Sequence, residues 1–260
     1  MTTREALIAA IAAAPDDDLP RLVAADWFDE NGQSERAEFI RLQISSWRHD
    51  DSENFQTQAE KLLLNRFGDW FGPMLSAFDT SRPESDYVFI PDAKSVKFSP
   101  RLPPSPPDDF VLGGTIQRGF VGEVSLNLGV LPDRTRIDIA LREEPIDTLS
   151  FPPSMFHTWS RFTAPELRRV RSLRIGVQPL SAIESVFNDP HLEGVRTLSL
   201  WNRPLSGNLV IGLVNSPLGR QLTELSAPLD DYALRTLADG YTAALRRLTL
   251  DGWAPCRLTG

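Results

Sequence analysis

Five arginines and one glutamate sit between aliphatic residues in the second half of this 260-residue chain: Arg171, Arg174, Arg196, Arg246, Arg247 and Glu224. A guanidinium is planar, stays charged and presents a fork of N–H donors. Such a set is suited to gripping carboxylates or phosphates, not to moving protons. Trp201 and Trp253 follow the same aliphatic runs and are the large, rigid side chains that anchor interfaces. The chemistry on offer is recognition. Two readings stay open for the arginines, a docking surface for an acidic partner segment and an ordinary solvated face. Each tryptophan fits either an interface anchor or packing against a neighbouring loop.

Side chains that would perform catalysis are scattered. His49, His157 and His191 lie far apart, and none is flanked by a base–orienter pair. No nucleophile elbow, phosphate-binding loop, H-E-x-x-H helix or dinucleotide fingerprint occurs. Cys256 has Arg257 beside it but no triad partner. Asp16-Asp17-Asp18 is a run that serves helix capping and the helix dipole better than a metal, because successive carboxylates seldom converge on an ion without further ligands. Asp26, with Arg21, Arg36 and Arg41 near it in sequence, is expected to make a structural ion pair or to cap a neighbouring helix. The sequence therefore implies no enzyme, no cofactor and no metal.

Bulk properties narrow the partners. A formal net charge of −8 argues against a general nucleic-acid or anionic-membrane binder, since phosphate neutralisation needs a basic face. A single cysteine closes no internal disulfide, which fits a reducing cytoplasm. No targeting segment and no run of about 18 apolar residues is visible, so no transmembrane helix is expected.

The arginines are positioned by a recurring spacing, apolar-x-x-apolar-x-apolar. It begins at Val121, Ile146, Val170, Val195, Leu222 and Leu245, with steps of 25, 24, 25, 27 and 23 residues. This resembles leucine-rich repeats, whose period is about 20–29 residues. The three apolar residues of each repeat are expected to point inward from a short strand. The residues between them would form a shared concave wall: Glu123 and Ser125, then Asp147, Thr148 and Ser150, then the arginine-rich rungs. A fourth inward residue is present as Leu131, Phe156, Leu180 and Leu205, and becomes Tyr232 and Pro255 at the end. The Asn or Cys usual in the turn is replaced by Gly129, Ser154, Gln178, Arg203, Asp230 and Trp253, so the repeats are degenerate. Helical returns are expected over 181–189 and 231–239. The last repeat leaves a sheet edge that needs covering or using.

Upstream, residues 1–75 read as helices. Thr2 to Glu5 has capping-box spacing. Asp18 is the expected N-cap of a second helix, with Pro20 in its first turn and Leu19, Leu22, Val23 and Trp27 on its buried face. Ser34 is expected to cap a third helix with Phe39, Ile40, Ile44 and Trp47 inward. A fourth helix carries Leu62, Leu63, Phe67, Trp70 and Phe71 and is expected to stop near Gly72-Pro73. Short strands are expected at 87–90 and 95–98, and Gly113-Gly114 reads as a turn. The proline-dense stretch Arg101 to Asp109 reads as a stiff connector and is taken as the domain junction.

The string from Pro15 to Gly32, P-D-D-D-L-P-R-L-V-A-A-D-W-F-D-E-N-G, resembles the signature of the bacterial repeat-companion domain. So do R-A-E-F-I-R-L-Q over 36–43 and R-G-F-V-G-E-V over 118–124, the element that leads into the repeats. Ala25 and Phe28 depart from the usual Tyr and Leu. The resemblance implies a helical N-terminal module attached to repeats, with no assigned catalytic activity. The expected architecture is α/β. A helical module over 1–75 precedes an irregular, Pro-rich connector with short strands over 76–118, and a leucine-rich-repeat-like solenoid with a parallel sheet and about six repeats fills 119–260. The expected function is non-catalytic recognition of a protein partner through the concave face. The alternative is a regulatory or substrate-recruiting subunit whose partner supplies the chemistry.

Overall fold

The Thr2 hydroxyl accepts from the Glu5 amide at 3.2 Å and the Glu5 carboxylate accepts from the Thr2 amide at 2.7 Å, so the expected capping box starts the first helix. The computed structural model describes residues 2–48, 53–78, 87–92, 94–100, 111–127, 134–151, 165–176, 180–201, 204–240 and 244–250. The chain is mixed α/β and divides into two units, residues 1–147 and 148–260. Among the described residues, no helix is long and apolar enough to cross a membrane.

The first unit holds α1 (Thr3–Ala13), α2 (Leu19–Glu30), α3 (Ser34–Arg48), α4 (Glu53–Phe78) and α5 (Arg134–Glu143). With them go β1 (Tyr87–Asp92), β2 (Ser95–Pro100), β3 (Val111–Gln117) and β4 (Phe120–Asn127), paired antiparallel in that order. Ile8, Ile11, Ala24, Ala25, Phe28, Ala37, Ile40, Ile44 and Phe120 form one buried cluster. Phe67 of α4 meets the rings of Tyr87, Phe89 and Phe98 at 4.7–5.4 Å and fastens α4 to β1 and β2.

Several local expectations are corrected here. The buried stripe of α2 is Arg21, Ala24, Ala25 and Phe28, while Leu19 and Val23 are 63% and 48% exposed. Both stripes have helical spacing. The one chosen carries alanines, which let α1 and α3 approach closely, and leaves Leu22 and Trp27 only partly covered. Asp18 makes no side-chain cap; the Leu19 amide donates to Asp17 instead, at 2.9 Å. Ser34 opens α3, but its hydroxyl is turned back to Asp29 at 2.6 Å. α4 runs on through Gly72-Pro73, and its continuation buries Met74 and Leu75.

Gly113 and Gly114 lie inside β3, not in a turn. A Cβ on Gly114 would come within 2.6 Å of the Phe98 ring, so the glycine lets that ring lie across the strand. Residues 118–119 make the actual turn, with positive φ at Arg118 (49°) and Gly119 (89°), the geometry of a tight hairpin.

The domain boundaries also differ from those expected. The Val121, Val124, Leu126 triplet is not a repeat rung: it lies in β4, antiparallel to β3. Its hairpin belongs to the helical unit because Phe120 completes that unit's core. The two compact units divide between Asp147 and Thr148; the proline-rich stretch from Arg101 to Asp109 lies outside the described residues.

The second unit holds β5 (Thr148–Phe151), β6 (Ser172–Gly176), β7 (Thr197–Trp201), β8 (Glu224–Ser226) and β9 (Arg247–Thr249), all paired parallel in sequence order. Leu149, Leu173, Leu198, Leu225 and Leu248 stand side by side, and Phe151, Ile175 and Leu200 make a second inward row. The first four leucines are at most 2% exposed, whereas Leu248 is 36% exposed. Between strands run α6 (Leu180–Phe187), α7 (Gly207–Asn215), α8 (Pro217–Gln221) and α9 (Asp231–Gly240), with Val186, Phe187, Val210, Leu213 and Leu237 buried. The helical returns expected over 181–189 and 231–239 are α6 and α9. Leu205 is fully buried as expected, but Tyr232 is 61% exposed. Asp230 accepts from the Ala233 amide at 2.6 Å and starts α9.

Candidate functional site

Strand alternation turns one leucine row inward and leaves the residues between on the opposite face. Two rows of side chains result. The first is Thr148, Ser172, Thr197, Glu224 and Arg247; the second is Ser150, Arg174, Ser199, Ser226 and Thr249. None of these ten residues is buried. Adjacent strands are about 4.8 Å apart, so the rows form a close comb of hydroxyls interrupted by a few charges. A third row continues on two strands as Gly176 and Trp201, which pair in register.

Of the residues expected on this face, Arg174, Trp201, Glu224 and Arg247 are on it. Arg171, Arg196 and Arg246 precede their strands and stack along one edge. The Arg171 carbonyl accepts from the amides of Arg196 and Thr197 at 2.8 and 3.0 Å. The Arg196 carbonyl accepts from Thr223 and Glu224 at 2.8 and 3.1 Å, and the Arg246 amide donates to Thr223 at 2.7 Å. Trp253 lies outside the described residues, as do the expected polar turn positions 129, 154, 178 and 203.

The charges are less open than their number implies. Arg196 folds back, its Nη1 donating to the carbonyls of Glu193 and Val195 at 2.8 and 3.0 Å. Arg247 reaches across to Glu224 at 2.9 Å, the cross-strand pair their register dictates. Arg174 stands exposed between Ser150 and Ser199, diagonal to Trp201. Trp201 is 39% exposed, and its in-register neighbour Gly176 has no side chain to cover the indole. The sequence pattern pointed to Trp201 but not to Gly176; the signal would have been the strand alignment of L-R-I-G with L-S-L-W.

A different concentration of functional groups occupies the first unit, where residues of the P-D-D-D and R-G-F strings meet. Arg118, at the tip of the β3–β4 hairpin, donates to the carbonyls of Pro15 and Asp16 at 2.8 and 3.1 Å and pairs with Asp18 at 3.2 Å. Its guanidinium also lies over Trp47, 4.7 Å from the ring centre. Arg48 holds the other Asp18 oxygen at 2.8 Å. Of the three carboxylates, Asp18 thus serves the arginines and Asp17 the start of α2. Asp26 pairs with Arg41 at 2.7 Å, and that hydrogen bond raises the Arg41 pKa. Asp29 accepts from Ser34 and Arg41, which lowers its pKa.

One cleft of about 470 Å³ opens at the start of α3, bounded by Glu35, Arg66, Asp69 and Trp70. Arg66 spans its mouth, bound to Glu35 at 2.6 Å and Asp69 at 3.0 Å, and its pKa is raised by these bonds. No group of three or more His, Cys, Asp or Glu side chains able to hold a metal ion occurs among the described residues. In comparisons with known proteins, no family model, no curated protein and no solved structure matches this chain.

Proposed function

We propose that this protein is a non-catalytic recognition module that docks a protein partner on the outward face of β5–β9. The supporting observation is the continuous register that sets Trp201, Arg174 and the Glu224–Arg247 pair on one face with two rows of hydroxyls. Hydroxyls both donate and accept, so they satisfy a partner's backbone without demanding one sequence. Trp201 supplies the apolar anchor and Arg174 the charge that favours an acidic segment. The five strands with intervening helices read as degenerate leucine-rich repeats, and the first unit as their repeat-companion module.

The test places a photo-crosslinking residue at Ser199 and, separately, at Glu184 on α6, in the native cell. The expected result is one protein adduct at Ser199 that is lost when Arg174→Glu and Trp201→Ala are introduced, with none at Glu184. The same adducts at both positions, or adducts indifferent to the two substitutions, would overturn the reading.

A further inference from the structure

Glu144 directly follows α5 and is 1% exposed. Its Oε2 accepts from the Val121 amide of β4 at 2.9 Å. Its Oε1 lies 3.9 Å from Arg36 Nη2 on α3, beyond direct hydrogen bonding. Arg36 is itself 2% exposed and packed among the rings of Phe28, Phe39, Trp70, Phe71 and Phe120, 4.4–5.8 Å from their centres. Its Nη1 has no hydrogen-bond partner. The other charges acting on Glu144 are Arg4 of α1 and Glu143 of α5, which are joined to each other at 2.6 Å. α4 contributes the rings of Trp70 and Phe71.

An ionised carboxylate in this place has one amide donor, Arg36 at 3.9 Å and the weaker pull of Arg4, which is already paired with Glu143. That is poor compensation for the water it lost. A neutral carboxyl keeps the Val121 bond and is far less costly to bury. Three residues past Glu144, the Asp147 amide donates to the carbonyl of Gly122, the neighbour of Val121, at 3.0 Å. The end of α5 and the segment leaving the unit are therefore held to β4 by adjacent bonds, one of which ends on a titratable group.

We propose that the buried Glu144 carboxyl is a proton-operated latch: proton uptake relieves it of a poorly compensated buried charge and steadies the α5 end on β4, and proton release loosens that hold. Burial pushes the Glu144 carboxyl up to about 7, against the opposing pull of Arg36, the Val121 amide and Arg4. A solvated glutamate titrates near 4.5. Between these values the folded unit keeps a proton that the unfolded chain has given up. Stability is thus fully present below the lower value, falls as pH rises through the window, and levels off above the upper one. Within the window the folded-to-unfolded ratio changes by at most about tenfold per pH unit.

The experiment uses the full chain. Carboxyl-carbon NMR follows the Glu144 titration, and amide-exchange protection factors are read for Val121 and Asp147 at pH 5.5 and 8. The expected titration midpoint is near neutrality, and protection at both amides falls several-fold or more at the higher pH. In Glu144→Gln both protection factors are the same at the two pH values. A wild-type midpoint near the ordinary glutamate value, or an equal fall in Glu144→Gln, overturns the latch. If Glu144→Gln does not fold, the wild-type titration decides alone.

Discussion

The Gly119 amide donates to Gln43 Oε1 at 3.0 Å, and the glycine backbone lies so near Ile40 that a Cβ would fall 2.5 Å from its Cγ1. With φ at 89°, this residue seats the hairpin turn against α3. Gly119→Ala meets both a strained backbone and a collision with a fully buried side chain. It is expected to cost about 2 kcal/mol or more. The check is the urea midpoint of the first unit, with Gly122→Ala, where a Cβ meets open space, as control.

Arg118→Met keeps the length of the side chain but abandons two carbonyls and Asp18. A buried pair broken on one side typically costs about 3–5 kcal/mol. Because Asp18 is also held by Arg48, the loss here is expected nearer about 3 kcal/mol. Chemical denaturation measures it. A cost equal to that of Arg48→Met, whose side chain is largely solvated, would show that the hairpin tip is not a fastening.

Leu198 and Leu248 occupy the same row but not the same environment: 0% against 36% exposed. Leu198→Ala opens a cavity between two covered rungs and is expected to cost about 2–5 kcal/mol. Leu248→Ala is expected to cost under about 1 kcal/mol, since half-open sites relax. Comparison of the two denaturation curves checks the ranking, and equal costs would contradict the ladder's gradient of burial.

Arg36→Met removes the cation that pulls the Glu144 pKa down while filling the aromatic cage with a side chain of similar volume. The Glu144 midpoint is expected to rise above its wild-type position. Because the folded value then departs further from the unfolded one, the pH window over which stability declines extends upward. Arg36 itself is held down to about 10 by burial, with Arg4 adding to the effect and Glu144 opposing it. Titration of Glu144 in Arg36→Met is the measurement; an unmoved midpoint would mean the pair is not coupled.

The leucine rows were legible because their spacing is a physical period: every second residue of a strand must go inward, and five such strands repeat it. The same spacing misled at Val121, Val124 and Leu126. A triplet of alternating apolar residues says that a strand has one buried face, not whether its neighbour runs parallel. The exposed side of α2 is hidden from the pattern for a related reason, since Leu19 and Val23 are more apolar than Ala24 and Ala25 but too large for the helix contacts made there. On the outward face, residue identity located Arg174 and Trp201, while the fate of Arg196 depended on carbonyls of its own loop that no pattern announces. Glu144 carried no sequence signal. It follows a helix among other charges, and only the packing of three distant segments buries it.

The bonds from Arg118 to the carbonyls of Pro15 and Asp16 span about a hundred positions of sequence, and Phe120 lies in the same core as Ile8. A ribosome extruding this chain therefore releases the first helices long before their hydrophobic seam can be sealed. Until the hairpin emerges, α1–α3 wait with an open seam, and a fragment cut after α4 would be left in that condition permanently.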